Sequence, residues 1–561
     1  MLCRHRYGLL FSLVLLSGLV AAGADTKPSG SVSGADQLYR AGKFAEAEAG
    51  YRALLRDDPK QASAQVGLIR ALLREQKIDE ALDAANAGLS AQPDSAALLA
   101  AKGDVQFRLG EMIEAENSYL SSKKLHSNEA RAYLGLARLY GMYSLYRQSY
   151  DQLQLAHGFA PDDIEVQRAW LGMLPRRERL AALEVYLQGS HPDDEEENQR
   201  MREGLDFLKA TIDKPAHSCK LVSKVEQTET KLIPVWVDLH TNRFRGISLE
   251  VKLNDREARL QLDTGAGGIT VGRRLAEKAG LVAIASEHYG GVGDKGLQSG
   301  YSAVADHIRI GNLEFRDCVV LVSDKRSIED EDGLIGADVF GAYVVDIDLP
   351  GMRLKLSPLP KLPEDTVTQT ALNSEGEEQA NVDQKEESAT GQLPDQQKTS
   401  APTAKARQRL PRDRYVAPEM ANWTKVFRLG HMILIPTLVN DSSALLFGLD
   451  TGAFENVLSL RAARQAAGGA YAVDSVRIRG LSGQVNEVYG ANATLRFGHL
   501  RQPNMGVVTL DLSRLSRQLG TELSGLLGFS MLRVLEIKID YRDGLVDFEY
   551  DPKRIPSHAG R

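Results

Sequence analysis

The sequence predicts a multidomain α + β chain: an N-terminal all-α superhelix followed by two all-β lobes related by a pseudo-two-fold axis. Three observations carry this. A period of 34 residues runs through the first third of the chain, helical spacing gives way to strict alternation near residue 232, and one pattern of strands and turns returns after residue 420. The length of 561 residues allows three or four folding units at roughly 100–200 residues each. Hydrophobic residues at 43% and charged residues at 25% are those of globular protein and exclude collagen-like or wholly disordered classes. Sixty-eight basic against 75 acidic side chains give a formal charge of −7, which argues against a nucleic-acid binder and its basic face. Three cysteines are too few for a cysteine–zinc cluster or a disulfide scaffold, and no His or carboxylate spacing suggests a metal. No cofactor is expected.

The first residues read as an address. Arg4 and Arg6 precede an apolar run from Gly8 to Val20, and Ala22-Gly23-Ala24 supplies the small residues of a cleavage site. Residues 1–24 are therefore expected to be a cleaved signal peptide, placing the protein outside the cell or in the periplasm; an uncleaved N-terminal membrane anchor is the alternative. After cleavage Cys219 and Cys318 are the remaining thiols, and nothing in the sequence brings them together.

Residues 28–213 hold the helical repeats and their capping helices. Pro59, Pro93 and Pro161 fall on the 34-residue grid, with Ser127 in the remaining slot. The same spacing separates Gly42, Gln76, Gly110 and Ser144, and again Ala47, Ala81, Ala115 and Ser149. Small residues in the Ala47 column let antiparallel helices approach, and proline ends the second helix of each pair because it cannot donate the next hydrogen bond. This segment resembles the tetratricopeptide repeat over four copies, in which each helix pair is covered by its neighbour. The acidic run Asp193–Glu197 is expected in a solvated turn. Tyr133, Tyr140, Tyr143 and Tyr146 are expected to pack between helices.

Two β lobes follow, at 232–358 and 413–551, with residues 552–561 as a flexible tail. In the first lobe Ile247–Leu253 alternates, Asn254-Asp255 turns, and Ala258–Leu262 leads into Asp263-Thr264-Gly265-Ala266. In the second, Met432–Val439, the turn Asn440-Asp441 and Leu445–Leu449 lead into Asp450-Thr451-Gly452-Ala453. Gly311 and Gly498 each lie 48 residues beyond the respective Asp. Gly333-Leu334-Ile335-Gly336 and Gly525-Leu526-Leu527-Gly528 are each followed 12 residues later by a strand Asp, Asp348 or Asp540. Between the lobes, 359–412 is rich in Pro, Glu, Gln, Ser, Thr, Ala and Lys. Such a segment cannot bury enough apolar surface to offset its ordering entropy, so it reads as a disordered linker.

The two Asp-Thr-Gly-Ala tetrapeptides carry the chemistry. Brought together by a two-fold relation, their carboxylates cannot both ionise freely, so one pKa rises and the pair shares a proton. The ionised member can then take a proton from water while the protonated member polarises a carbonyl. Each half resembles a retropepsin-type aspartic protease unit, on the hydrophobic-hydrophobic-Asp-Thr-Gly-Ala and hydrophobic-hydrophobic-Gly elements. The resemblance implies Asp263 and Asp450 as the catalytic dyad, Thr264 and Thr451 as braces, and Gly265 and Gly452 as turn formers. It also implies Ile335-Gly336 and Leu527-Gly528 as supports beneath the loops. Flap candidates are Gly290-Gly291-Val292-Gly293-Asp294 and Gly480-Leu481-Ser482-Gly483. A flexible linker of this length spans roughly 40 Å, enough for the lobes to pair within one chain, although pairing between chains stays open.

The function expected is an aspartic endopeptidase with a polypeptide substrate in its cleft and a protein partner on the repeats, without nucleic acid or a membrane span after signal cleavage. The alternative is a catalytically silent scaffold or peptide-binding protein organised around the repeats. Cleavage specificity, pH optimum and the repeat partner are not legible.

Overall fold

The structure, a computed structural model, describes residues 32–189, 195–213, 219–238, 243–291, 296–325, 331–363, 411–440, 442–473, 478–480, 483–485 and 487–554. The leader, the linker from 364 to 410 and parts of both flap candidates lie outside the described residues.

Four helix pairs occupy Val32–Arg40/Phe44–Asp57, Ala62–Arg74/Ile78–Ala91, Ala96–Arg108/Met112–Leu125 and Ala130–Met142/Tyr146–Phe159. The 34-residue columns acquire physical meaning here. Gly42, Gln76, Gly110 and Ser144 all sit in the left-handed region, at φ 76, 62, 79 and 58°, where each pair turns back on itself. Ala47, Ala81 and Ala115 are fully buried at the helix–helix contacts, and Ser149 nearly so, donating to the Ala137 carbonyl. Tyr119 is packed so tightly that a Cβ on Gly135 would lie 2.1 Å from its ring.

Helices Ile164–Leu171 and Arg176–Gln188 follow the fourth pair, and Glu195–Thr211 packs on Arg176–Gln188 and on strand Val282–Tyr289 of the first lobe, where Glu203 accepts from the His288 N–H. The acidic run departs from expectation: Glu195–Glu197 open the last of these helices instead of lying in a turn, because the positive end of a helix dipole favours acidic residue types. Asp193 and Asp194 lie outside the described residues.

Each lobe is a sheet closed on itself. In the first, strands Leu313–Ser323, Ile269–Gly272, Gly333–Gly336, Arg256–Asp263, Arg243–Leu253 and Gln298–Ile310 follow one another, and the pairing of Gln298–Ile310 with Leu313–Ser323 completes the ring. In the second, Met432–Val439, Ala444–Asp450, Gly525–Gly528, Val457–Ser459, Leu500–Leu510 and Tyr489–Phe497 do the same through the pairing of Thr437 with Phe497. A six-stranded sheet joins the lobes, in the order Thr424–Lys425, Leu545–Tyr550, Leu535–Asp540, Tyr343–Asp348, Arg353–Pro358, Thr228–Lys231. Its central register pairs Asp346 with Lys538, Val344 with Asp540 and Asp348 with Glu536. That register is symmetric about Asp346–Lys538, so the pseudo-dyad passes there and the lobes pair within one chain.

Two domain edges shift. The first lobe begins before 232: Lys220–Leu221 pairs with Leu313–Ser323, Thr228–Lys231 joins the central sheet, and Cys219 is bridged to Cys318. The tail is also ordered further than expected. Pro552–Arg554 forms a 3-10 turn from which Arg554 reaches both Asp348 and Glu536, because the fully buried Asp348 carboxylate needs a counter-charge.

The repeats are docked on the second lobe. Phe107, Met112, Leu139 and Met142 share one core with Met432, Leu434, Leu446, Leu523 and Leu526. Thr521 donates to the Phe107 carbonyl at 2.6 Å, and the Glu522 N–H donates to the Arg108 carbonyl at 3.0 Å. The tyrosines expected between helices divide. Tyr133 packs against Phe159 within the array, whereas Tyr143 packs on Phe427 and Tyr146 accepts from Arg428 of the second lobe. The Tyr143 hydroxyl still donates to the Met112 carbonyl of the neighbouring helix pair at 3.5 Å, so this side chain spans the helix contact and the lobe.

Candidate active site

The two Asp-Thr-Gly loops meet at the pseudo-dyad. Each Asp ends a strand that runs parallel to its hydrophobic-hydrophobic-Gly segment: Asp263 is in register with Gly336, and Asp450 with Gly528. Glycine is required beneath each loop. A Cβ at Gly336 would lie 2.5 Å from the Ala266 carbonyl oxygen, and one at Gly528 would lie 2.2 Å from that of Glu455. Asn456 Oδ1 accepts from the Gly528 N–H, while Asp338 accepts from Gly268, tying both loops down.

The threonines bind one loop to the other. Thr264 Oγ1 donates to the Leu449 carbonyl at 2.9 Å and accepts from the Thr451 N–H at 3.0 Å. Thr451 Oγ1 donates to the Leu262 carbonyl at 2.9 Å and accepts from the Thr264 N–H at 3.1 Å. Both side chains are fully buried, so every one of these groups depends on its partner across the lobe boundary.

Above this brace the carboxyl groups of Asp263 and Asp450 face each other, each lying over the glycine of the opposing loop. Asp263 Oδ1 accepts from the Gly265 N–H at 2.8 Å, and Asp450 Oδ1 accepts from Gly452 at 3.0 Å and Ala453 at 2.8 Å. The approach is crossed: a Cβ on Gly265 would lie 2.7 Å from Asp450 Cγ, and one on Gly452 2.3 Å from Asp263 Oδ2. Burial, and then the facing Asp450 carboxylate, push Asp263 well above the ordinary carboxyl range. Burial raises Asp450 too, against the lowering effect of the Ala453 N–H, the Asp263 carboxyl and the Gly452 N–H. Two carboxyl groups facing each other in this way titrate as a unit and not independently.

Of the flap candidates, Gly290 and Gly291 follow strand Val282–Tyr289, while Val292, Gly293 and Asp294 lie outside the described residues. Gly480 pairs with Gly483 across a short hairpin, and Leu481 and Ser482 lie outside the described residues.

One neighbour of the dyad escaped the sequence reading. His431, at the tip of the hairpin formed by Phe427–Leu429 and Met432–Val439, packs on the first loop, with its Nδ1 2.6 Å from where a Gly267 Cβ would stand. Phe244 packs on Phe529, just past Gly528, with ring centroids 5.5 Å apart.

Comparison with known proteins agrees with this geometry. The aspartyl protease family model matches residues 249–339 and 435–531, and the tetratricopeptide repeat model matches 33–96 and 67–123. No curated protein matches the chain. Among solved structures, a tetratricopeptide repeat protein of Thermus thermophilus is 18% identical over 31% of this chain and 96% of its own, with a TM-score of 0.26. One from Parabacteroides merdae is 18% identical over 32% of this chain and 70% of its own, with a TM-score of 0.24. Each β lobe of the chain is thus similar to the aspartyl protease family, behind an N-terminal segment similar to the tetratricopeptide repeat.

Proposed function

We propose that the protein is an aspartic endopeptidase whose dyad is Asp263 and Asp450, with the repeat array holding a protein partner or substrate. The observation that carries this reading is the facing pair of half-buried carboxyl groups, crossed over the opposing glycines and braced by four hydrogen bonds across the lobe boundary. In the active form one carboxyl is protonated and one ionised. Asp450 accepts two backbone N–H donors and is the better placed to stay ionised. It takes a proton from a water lodged between the two groups as the water oxygen attacks the scissile carbonyl carbon. Asp263 gives its proton to the carbonyl oxygen, leaving a neutral tetrahedral diol. Asp450 then passes its proton to the amide nitrogen while one diol hydroxyl gives its proton to Asp263, so the C–N bond breaks, a carboxylic acid and an amine form, and the pair again holds one proton.

The protonation requirement sets the pH dependence. Activity falls as pH rises through the raised pKa of the pair, which empties it, and falls again at low pH as the second carboxylate is protonated. Export to an oxidising compartment is part of the proposal; the Cys219–Cys318 disulfide supports it, and no helix among the described residues is long and apolar enough to cross a membrane. The test is hydrolysis of denatured protein by the purified chain from acid to neutral pH. Cleavage that disappears in both Asp263→Asn and Asp450→Asn is expected, and the absence of any cleavage by the parent protein would reject the reading.

A further inference from the structure

A cavity of about 860 Å³ lies between the inner helices of the repeat array and the second lobe, away from the carboxyl pair. Nine arginines line it against two carboxylates, Asp104 and Glu165, a formal excess of seven positive charges. Those two carboxylates are already committed. Asp104 accepts from Tyr119 and Arg131, and Glu165 accepts from Tyr39, Arg70, Arg131 and Arg138. Burial alone would raise the Glu165 carboxyl, but Arg131, Arg70 and Arg138 hold it well below the usual range, so it stays an anion at any physiological pH. Arg70 Nε is buried on this wall with no hydrogen-bond partner among the described residues.

The repeats do not build this wall alone. Helix Ser513–Leu519 of the second lobe adds Arg514 and Arg517, and Leu429 comes from the hairpin whose tip carries His431. Guanidinium groups from two domains thus converge on one space and give it an excess of positive charge, which attracts an anionic occupant. The walls also carry apolar side chains, Phe107 and Leu429 among them, which match the side chains of a polypeptide and not an inorganic oligoanion.

We propose that this composite cavity binds an acidic polypeptide segment with interspersed apolar residues, recognised by carboxylate–guanidinium pairing. The proposal rests on the reading that the repeats hold a polypeptide, and is independent of catalysis. It is tested with the full chain bearing Asp263→Asn, so that the probe is not cut, and a fluorescein-labelled peptide of alternating Glu and Leu. Fluorescence anisotropy is expected to show binding that the matched Gln/Leu peptide lacks. Affinity should fall on the order of tenfold or more in Arg514→Gln/Arg517→Gln, and similarly on raising the salt to about 0.5 M. Arg517 is exposed, so Arg517→Gln alone tests the site without threatening the fold and should weaken binding by roughly threefold. Equal binding of the Gln/Leu peptide, or indifference to both substitutions, would overturn the proposal. So would tripolyphosphate binding with the same arginine dependence while the Glu/Leu peptide does not bind. Peptide binding in a parent protein that cleaves nothing would reject the endopeptidase and leave this site standing; cleavage without peptide binding would do the reverse.

Discussion

Thr264→Val isolates the brace between the lobes. The substitution preserves shape and removes one hydroxyl that donates to the Leu449 carbonyl and accepts from the Thr451 N–H. Both threonines are fully buried, so the Thr451 N–H is left without water or partner. Stranding that donor costs about 1–3 kcal/mol and the lost bond to Leu449 about 1 kcal/mol, giving a total of about 2–4 kcal/mol. Thr264→Ser keeps the hydroxyl and loses one methyl, at about 1 kcal/mol. The double variant Thr264→Val/Thr451→Val breaks all four cross-lobe bonds and should cost about 4–8 kcal/mol, comparable to the whole stability of a typical domain at roughly 5–15 kcal/mol. Urea unfolding followed by tryptophan fluorescence reads this out, because Trp236 and Trp423 lie in the two lobes and only Trp170 in the helical region. A Thr264→Val midpoint equivalent to less than about 0.5 kcal/mol of destabilisation, or a Ser variant as damaged as the Val variant, would refute the reasoning.

Three further outcomes are expected. Gly452→Ala places a methyl 2.3 Å from Asp263 Oδ2 and must displace the dyad, so kcat/KM should drop by about 10²-fold or more, whereas Gly506→Ala, with open space around it, should leave the rate unchanged. Asp346, at the centre of the joining sheet, is raised to about 6 by burial and by the neighbouring Glu536. A carboxyl with a raised folded pKa contributes most when protonated and loses that contribution as pH rises from about 4 through 6. Asp346→Asn should therefore stabilise the protein by about 1–3 kcal/mol at pH 7–8 and change little below pH 4, as measured by thermal unfolding at each pH. Reduction of Cys219–Cys318, or its replacement by serines, opens a loop spanning a sequence separation of 99 and should cost the first lobe about 2–5 kcal/mol, visible as a lower melting temperature under reductant.

Much of this molecule was legible in one dimension because its signals are periodic. The Gly42 and Ala47 columns could be read directly: a left-handed turn and a close helix contact each restrict residue choice at a fixed spacing. The Asp-Thr-Gly loops were legible for a similar reason, since only glycine fits where each chain crosses the opposing carboxyl. The tyrosines of the fourth repeat were legible only in part: Tyr133 packs between helices, but Tyr143 also reaches Phe427, because aromatic side chains bury equally well against a helix or a foreign lobe. Arg554 looked like tail because its partner, Asp348, is 206 residues away.

By itself the sequence determined the repeat array, the duplicated lobes and the identity of the two acidic loops, all consequences of local backbone geometry and steric exclusion repeated at constant intervals. Tertiary structure alone decided that the lobes pair within one chain about Asp346–Lys538, that Cys219 meets Cys318, that His431 leans on Gly267, and that arginines from the repeats and the second lobe face a common cavity. Those are contacts between distant segments. They depend on how finished surfaces complement one another, and no spacing along the chain encodes that complementarity.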